Sequence, residues 1–391
     1  MLALNGSASE VRGFVPQGRS IVLRLRDPNE MPADSADVAL LRCTGDSAKA
    51  RANGFSAALL LGDGNLSEAG LNFEKTLSLP GKFDYLADGD ILGFRPEKKQ
   101  VRTLFRRTSL HNSFLVTERC NHYCLMCSQP PRNIDDGWIL DEIRTALPLI
   151  DKTTPSFGFT GGEPLLDWQG FIAVLADCRD LLPQTAIHVL SNGRAFASTP
   201  VTAAWAAIRH PNLTVGIPIY SAVDSVHDYV VQALGAFDET VLGVLKLKDR
   251  GQRVEIRVVL HAITAPRIVE TANWLARNLP FADHIAIMGL ENTGFAIAND
   301  DILWIDPADY RDDLASAVDI LAAAGVNVSI YNLPRCVLAK SVWPFAMQSI
   351  SDWKNSYIDA CKNCDERPRC SGFFTTGRPR YSRAIAPILS A

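Results

Sequence analysis

The stretch Cys120-Asn-His-Tyr-Cys124-Leu-Met-Cys127 places three thiols in one short segment, at spacings of four and three residues. A closed electron-transfer cluster takes four cysteine thiolates. After Cys127 the chain continues Ser128-Gln-Pro-Pro131, which supplies no fourth thiol nearby. Three thiolates would therefore leave one iron of a [4Fe-4S] cluster without a protein ligand. An open metal position is where a ligand or substrate can bind, as it is in catalytic metal sites.

A second motif follows in the stretch Phe157-Gly-Phe-Thr-Gly161-Gly-Glu-Pro164. The pattern indicates a short apolar strand that ends in two glycines and an acid before a helix. Glycine allows close approach of the backbone to a ligand, and an acid with exposed carbonyls suits an ammonium group. Alone, Gly-Gly-Glu-Pro is more simply a turn before a helix. With the three thiols upstream, the motif indicates a ligand site.

The two motifs, in this order, resemble the signature of radical S-adenosylmethionine (SAM) enzymes, whose open iron chelates the amino and carboxylate groups of SAM. The resemblance implies that Cys120, Cys124 and Cys127 hold a SAM-binding [4Fe-4S] cluster. It also implies reductive cleavage of SAM to methionine and a 5'-deoxyadenosyl radical, which takes a hydrogen atom from the substrate. The electron would come from a donor such as flavodoxin or ferredoxin.

The same resemblance implies a set of SAM contacts: Met126, Gly161, Gly162, Glu163, Ser191 and Asn192. Met126 stands where many such enzymes have an aromatic residue, and its apolar side chain can cover an adenine. The segment Leu190-Ser-Asn-Gly193 resembles the Thr-Asn-Gly end of the family's third strand, although a strand-ending turn explains it equally well. The segment Pro218-Ile-Tyr220 replaces the family's common Ser-x-Asp, so no SAM contact is carried over there.

A second group of cysteines lies near the carboxyl end, in Cys361-Lys-Asn-Cys364-Asp-Glu-Arg-Pro-Arg-Cys370, with Cys336 upstream. Four thiols can close a site, and their spacing suits either zinc or an iron-sulfur cluster. Their position resembles the SPASM or twitch extensions of peptide-modifying radical SAM enzymes. This resemblance implies one auxiliary [4Fe-4S] cluster, because the chain has too few cysteines for two.

The sequence around the motifs resembles that of the His-Xaa-Ser system radical SAM maturase. The similar segments are Cys124-Leu-Met-Cys-Ser-Gln-Pro-Pro-Arg132, Trp343-Pro-Phe345, Ser351-Asp-Trp-Lys354 and Cys370-Ser-Gly-Phe-Phe374. The likeness implies post-translational modification of a precursor peptide that carries His-Xaa-Ser repeats, and a second radical SAM maturase as a partner. A rival function is a noncatalytic iron-sulfur electron carrier, or a zinc-structured scaffold, that supports the second maturase.

Short β-like runs alternate with helical patterns along the middle of the chain. The six predicted strands are 114–117, 156–160, 187–190, 214–220, 254–260 and 285–289. Strands separated by helices favour a parallel sheet, and right-handed crossovers curve it into a partial, TIM-like (β/α)6 barrel. Active sites of such barrels lie at the carboxyl ends of the strands, where both motifs fall. The helical stripe of Leu165, Phe171, Leu175 and Leu182 supports the alternation.

The predicted α/β fold therefore has three parts. Residues 1–107 form a small β-rich module, residues 108–331 the radical SAM partial barrel, and residues 332–391 an auxiliary-cluster extension. Five cations lie at the border of the first two parts: Lys98, Lys99, Arg102, Arg106 and Arg107. Such a run is usually a solvated strand face. The functional alternative is a surface that docks an acidic peptide or a partner protein.

Composition excludes several classes of protein. The 391 residues are 47% hydrophobic and 21% charged, which is ordinary for an enzyme with a sizeable core. A net charge of -4 argues against general nucleic-acid binding. No apolar run is long enough to span a membrane and no secretory signal is recognisable, so a cytoplasmic location is expected. Cys43 and Cys178 lie in apolar runs, which predicts that both are buried.

Several other polar or sulfur-containing residues fall near the expected active edge: His122, His227, Asp228, His261, Met288 and Glu291. His122 lies in the cysteine loop and is interpreted as a loop residue, since histidine ligation of iron-sulfur clusters is a minority chemistry. Met288 and Glu291 could line the adenine or the substrate. Polar ends of strands explain His227, Asp228 and His261 equally well.

Overall fold

The computed structural model describes residues 4–16, 18–43, 45–62, 72–348, 350–351, 355–374 and 380–389. Two β-sheets organise these residues. The first has eight strands and is formed by the amino-terminal part of the chain, and the second has seven strands and is formed by the middle part.

The first sheet has the strand order β1-β8-β7-β3-β4-β5-β6-β2. Its strands are β1 Asn5–Ser7, β2 Glu10–Arg12, β3 Ile21–Arg26, β4 Asp37–Leu41, β5 Ala57–Leu61, β6 Lys75–Leu79, β7 Ile91–Arg95 and β8 Gln100–Phe105. Strands β3 to β6 are parallel, whereas the remaining pairs are antiparallel. Helix α1 (Gly45–Ala52) connects β4 to β5.

Cys43 is exposed, so the prediction that it is buried was wrong. The apolar run that suggested burial forms β4, whose five residues are all buried. That strand ends at Leu41, and the chain has already left the sheet when it reaches Cys43. The burial of Cys178 is confirmed, with no exposed surface on that residue.

The second sheet is parallel throughout and follows the chain order from β9 to β15. Its strands are β9 Asn112–Leu115, β10 Ser156–Thr160, β11 Ala186–Leu190, β12 Leu213–Pro218, β13 Arg253–Leu260, β14 His284–Gly289 and β15 Val328–Tyr331. The predicted partial barrel is confirmed. The seventh strand, β15, was not predicted.

The barrel helices are α2 Trp138–Ala146, α3 Trp168–Leu181, α4 Thr199–Ile208, α5 Asp224–Val231, α6 Ala236–Asp249, α7 Ile268–Asn278, α8 Phe295–Ala298, α9 Asp300–Leu303 and α10 Arg311–Ala323. The predicted stripe of α3 is buried at Phe171 and Leu175. Phe171 meets the ring of Phe159 from β10 edge to face, with the ring centroids 5.3 Å apart. The main core lies between the barrel sheet and these helices.

The amino-terminal sheet meets the barrel at helix α2. Glu142 of this helix is buried and accepts a hydrogen bond from the hydroxyl of Ser20, at 2.5 Å. The guanidinium of Arg102 pairs with the same carboxylate and lies over the ring of Trp138. Arg102, one of the five border cations, therefore joins two parts of the protein.

Among the residues that the structure describes, no helix is both long and apolar enough to cross a membrane.

Candidate functional site

The loop with the first three cysteines follows β9 at the carboxyl edge of the barrel sheet. The end of α5 holds it on one side, because Tyr123 N–H donates to the Val231 carbonyl at 3.1 Å and Leu125 N–H to the Val230 carbonyl at 2.9 Å. On the other side, the Cys127 carbonyl accepts a hydrogen bond from the N–H of Phe295 in α8, at 2.8 Å. Backbone hydrogen bonds from two helices thus fix the loop.

The three thiols of this loop lie close enough to influence one another. Burial raises the pKa of Cys120 to about 11, and burial followed by the charges of Cys127 and Cys120 raises the pKa of Cys124. All three are free thiols. Within the described ranges, no three His, Cys, Asp or Glu side chains are arranged to hold a single metal ion. An iron-sulfur cluster spreads its thiolates over several irons and needs a wider cradle than one ion does.

The two glycines of the second motif bring that motif against the cysteine loop. Gly162 N–H donates to the Thr117 carbonyl at 2.7 Å, and Glu163 N–H donates to the Arg119 carbonyl at 2.8 Å. A Cβ atom on Gly162 would lie 1.9 Å from the Arg119 carbonyl oxygen. Gly161 has a φ of +131°, and a Cβ there would lie 2.4 Å from the Thr117 carbonyl oxygen. Both positions require glycine, because backbone occupies the space of a side chain.

The carboxylate of Glu163 points into the protein, where only 1% of the residue is exposed. It accepts hydrogen bonds from Leu165 N–H at 2.9 Å, Ser191 Oγ at 2.9 Å and Asn192 N–H at 2.6 Å. Burial raises the pKa of this carboxyl group, and the three donors oppose that rise. Glu163 therefore ties the ends of β10 and β11 together, and its contact with SAM stays a prediction.

Asn192 also links the end of β11 to the cysteine loop. Its side-chain amide donates to the Asn121 side-chain oxygen at 2.6 Å, and its own side-chain oxygen accepts from Arg194 N–H at 3.1 Å. Ser191 Oγ accepts a hydrogen bond from Gly193 N–H at 3.1 Å. These bonds are those of a strand-ending turn, as one of the two interpretations of this segment expected. The SAM contacts of Ser191 and Asn192 stay predictions.

Asp136 is a site residue that sequence reasoning missed. It is 1% exposed and accepts hydrogen bonds from Thr117 Oγ1 at 2.9 Å, Glu118 N–H at 2.6 Å and Arg119 Nε at 3.1 Å. These three residues immediately precede Cys120 and carry the two carbonyls that meet the second motif. Asp136 thus fixes the entry to the cysteine loop. An acid just before a helix is too common a pattern to have revealed this role.

Met126 and His122 are the two buried side chains of the cysteine loop. Met126 packs in a small apolar cluster with Tyr220 and Leu303. Its contact with adenine stays a prediction. His122 is 2% exposed, and neither ring nitrogen has a hydrogen-bond partner among the described residues. Burial lowers the pKa of His122 to about 3, so its imidazole is neutral. It packs as a loop residue.

Polar side chains line the inner face of the barrel, and sequence reasoning did not predict them as a group. His284 Nδ1 lies 2.8 Å from one oxygen of Glu255, and His188 Nε2 lies 3.4 Å from the other. Burial opposes ionisation of Glu255, but hydrogen bonds from the two histidines lower its pKa below the usual range. Arg257, two residues along the same strand, points Nη2 at the sulfur of Met288 at 3.1 Å.

His227 and Asp228 have structural partners. His227 is fully buried, and its Nδ1 accepts a hydrogen bond from Tyr220 N–H at 3.2 Å. The carboxylate of Asp228 accepts from Gly235 N–H at 2.6 Å and from Phe237 N–H at 2.8 Å. Asp228 therefore fixes the turn between α5 and α6. Both residues lie within α5, whereas β12 ends at Pro218, so the interpretation of them as a polar strand end was wrong.

The remaining three candidates are His261, which follows β13, Met288, which lies in β14, and Glu291, which follows β14. His261 is fully buried, and its Nδ1 accepts a hydrogen bond from Ile263 N–H at 3.3 Å. Met288 lies on the inner face of the barrel beside Arg257. Glu291 is half-buried in the loop after β14. The roles of Met288 and Glu291 at an adenine or a substrate stay predictions.

The four cysteines near the carboxyl end line one pocket: Cys336, Cys361, Cys364 and Cys370. Backbone N–H groups point at two of the sulfurs. Cys370 Sγ accepts from Arg335 at 3.4 Å and from Gly372 at 3.5 Å, and Cys364 Sγ accepts from Ile388 at 3.3 Å. Hydrogen bonds to sulfur are among the features that set the potential of iron-sulfur clusters. The fold therefore brings together the four thiols that the sequence grouped.

Residues 114–275 match the profile of the radical SAM superfamily. Over these residues the chain is similar to radical SAM domains. The match contains the second half of β9, all of β10 to β13, the cysteine loop and the Gly-Gly-Glu-Pro motif. No curated protein sequence matches the chain.

Three solved structures are among those that match part of this chain. SuiB of Streptococcus suis bound to S-adenosylmethionine is 16% identical over 57% of this chain and 50% of its own, with a TM-score of 0.45. Native anSMEcpe with bound AdoMet and Cp18Cys peptide is 16% identical over 55% of this chain and 62% of its own, with a TM-score of 0.43. A radical SAM methyltransferase from Sphaerobacter thermophilus is 16% identical over 62% of this chain and 72% of its own, with a TM-score of 0.43. The chain spans about half the length of SuiB.

A radical SAM domain implies a [4Fe-4S] cluster and SAM. The residues present fit that cluster, because three free thiols share one loop that two helices fix. The loop also abuts the Gly-Gly-Glu-Pro motif through direct backbone hydrogen bonds.

Proposed function

We propose that this protein is a radical SAM enzyme that modifies a precursor peptide with His-Xaa-Ser repeats, beside a second radical SAM maturase. The observation that carries the enzymatic part is the backbone junction between the cysteine loop and Gly161–Glu163. Gly162 and Glu163 donate there to Thr117 and Arg119, within the radical SAM domain. The peptide part is supported by the sequence resemblance and by the second cysteine set.

Cys120, Cys124 and Cys127 would hold the cluster, leaving one iron open for SAM. The chemistry supplied when both are bound is reductive cleavage of SAM, with transfer of a hydrogen atom from the substrate to the 5'-deoxyadenosyl radical. The protein itself orients SAM and the substrate and keeps water away. The guanidinium of Arg257 lies beside Met288, and 3.7 Å separates it from the carboxylate of Glu255.

SAM cleavage is the direct test of the enzymatic proposal. Protein reconstituted with iron and sulfide under anaerobic conditions, then given dithionite and SAM, should form 5'-deoxyadenosine. Chromatography of the nucleosides would measure it. Protein that binds SAM without cleaving it, or does not bind it, would instead support the noncatalytic carrier or scaffold. Mass spectrometry of the repeat peptide after coexpression would then test the substrate.

We further propose that the carboxyl-terminal cysteines hold an auxiliary [4Fe-4S] cluster and not zinc. A variant with alanine at Cys120, Cys124 and Cys127 should retain about four irons per chain, because four thiolates remain to close a cluster. Metal analysis after anaerobic purification would measure this. One equivalent of zinc per chain with negligible iron would show that these cysteines bind zinc and not an iron-sulfur cluster. A variant that also lacks Cys361 and Cys364 is the matched control and should lose this iron.

Of the five border cations in the proposed docking surface on the amino-terminal module, three have partners inside the protein. Arg107 pairs with Asp88 at 2.7 Å and lies 3.4 Å from Asp151, and Arg106 lies over the ring of Tyr85. Together with Arg102, these cations have partners inside the protein. Lys98 and Lys99 are exposed at the turn between β7 and β8, where the described residues show no ion pair for either. These two lysines are therefore the better test of docking.

Reversing both charges, as Lys98→Glu with Lys99→Glu, should weaken binding of the repeat peptide and flatten its salt dependence. The reason is that exposed charge contacts weaken as salt rises. Fluorescence anisotropy with labelled peptide at several salt concentrations would measure it. Lys49→Glu with Arg51→Glu, two exposed cations on α1, is the control for the same change in net charge. Equal binding by both variants would show that the run is only a solvated face.

A further inference from the structure

A cavity of about 110 Å³ lies at the carboxyl edge of the barrel sheet, below the carboxyl-terminal tail. Leu260 at the end of β13 and Leu333 just after β15 contribute to its base. It is also lined by Trp304 and Tyr310, which flank the segment between α9 and α10, and by Tyr381 of the tail. The cavity thus lies between the strand ends and the tail.

Apart from Arg380, the polar side chains of the lining are neutral and most of the lining is apolar, which favours a neutral occupant. Arg380 is the cation at the cavity, and its guanidinium lies 4.3 Å from the centre of the Trp304 ring and pairs with Asp300. Its charge is therefore satisfied inside the protein and does not select an anionic group. The rings of Phe373 and Tyr381 meet edge to face, with centroids 5.0 Å apart. Aromatic walls of this kind offer further edge-to-face contacts to a ring that enters.

The size of the cavity limits the occupant to one side chain. An apolar cavity of about 150 Å³ in a protein core takes up benzene. This cavity, at about 110 Å³, is smaller, so it holds at most a single ring or a branched aliphatic group and not a larger ligand.

The cavity also connects the two cysteine sets. Its base follows strands whose ends lie on the same edge of the sheet as the first cysteine loop. Pro334 and Phe373 line both this cavity and the pocket of the carboxyl-terminal cysteines. A peptide with one side chain in the cavity would run between the radical SAM domain and the second cysteine set.

We propose that the cavity anchors one aromatic side chain of the peptide substrate and so selects the part of the peptide presented to the radical SAM domain. This proposal rests on the proposed function. It names the chemistry of the anchor, a neutral aromatic ring, which the proposed function leaves open.

The test uses N-acetyl-4-fluorophenylalaninamide as the probe, with binding measured by fluorine NMR on reconstituted protein without SAM or reductant. Unlabelled N-acetyl-phenylalaninamide should displace the probe, whereas the glutamate, histidine and alanine analogues should not. Leu290→Trp places an indole in the cavity and should weaken probe binding about tenfold or more, because the space is already filled. Leu290→Phe should have a smaller effect in the same direction.

Ile302→Trp is the matched control, since it adds the same indole to an exposed position on α9 outside the cavity lining. It should leave probe binding unchanged. Thermal unfolding of each variant establishes that it is folded. The proposal is overturned if the wild-type protein fails to bind the probe, if the histidine or glutamate analogue displaces it better, or if folded Leu290→Trp and Leu290→Phe bind it as wild type does. Because the measurement needs no SAM cleavage, probe binding without cleavage rejects only the proposed enzyme, and cleavage without probe binding rejects only the anchor.

Discussion

Replacing Cys124 with alanine should abolish formation of 5'-deoxyadenosine by the reconstituted, reduced protein. Three thiolates are the fewest that hold a [4Fe-4S] cluster with a single open iron, and the loop contains no substitute. The loop itself should keep its shape, since its neighbours Tyr123 and Leu125 are held through backbone groups that the substitution leaves intact. The loss should therefore appear both as missing cluster absorption and as missing nucleoside product.

Cys178→Ala is the matched control for this prediction. Cys178 is buried in α3 and packs in the main core, away from both cysteine sets in the sequence. Its replacement should leave a small void and lower the unfolding temperature slightly, with SAM cleavage retained. Robust cleavage by Cys124→Ala would show that the ligands have been assigned wrongly.

Gly162→Ala should lower the rate of SAM cleavage by about a hundredfold or more, because a displacement of about 1 Å in a positioned site has costs of that order. The added Cβ would lie 1.9 Å from the Arg119 carbonyl oxygen, a distance that non-bonded atoms do not adopt. Either the second motif or the segment that leads to Cys120 must move. Single-turnover formation of 5'-deoxyadenosine, normalised to bound iron, would measure the loss separately from cluster assembly.

Gly137→Ala provides the control substitution. A Cβ at Gly137 would meet no atom of the described residues within 4 Å, and the backbone there is already right-handed helical, with a φ of -55°. This variant should cleave SAM at the wild-type rate. If Gly162→Ala does so too, the close contact between the two motifs has no role in positioning SAM.

Features that depend on short-range sequence patterns were predictable, whereas features that depend on packing between distant segments were not. Strands β9 to β14 were predicted because each lies in a short β-like run that alternates with helical patterns along the chain. Strand β15 (Val328–Tyr331) was not among the predicted strands. Cys43 was misplaced because an apolar run does not reveal the residue at which a strand leaves its sheet.

In the candidate site too, groups of residues close together in the sequence were predictable, and groups assembled from distant segments were not. The spacing of the cysteines predicted that their thiols would share a loop, since ligands a few residues apart meet through local geometry alone. The grouping of Glu255 with His188 and His284 was not predictable, because three different strands carry these residues and only the order of the sheet brings them together. Asp136 was missed for a related reason, as its partners come from a loop that precedes it by many residues.

By itself, the sequence determined the parallel α/β barrel, the two cysteine sets and the motif that follows the first of them, because these are encoded by periodicity and short-range spacing. Only the tertiary structure decided that Gly161 and Gly162 accommodate the backbone of Thr117 and Arg119, and that the carboxylate of Glu163 is directed inward. It also decided that a ring-sized cavity lies between the strand ends and the tail. These features depend on contacts between segments that are distant along the chain, and such contacts exist only once the sheet has set the order and register of its strands.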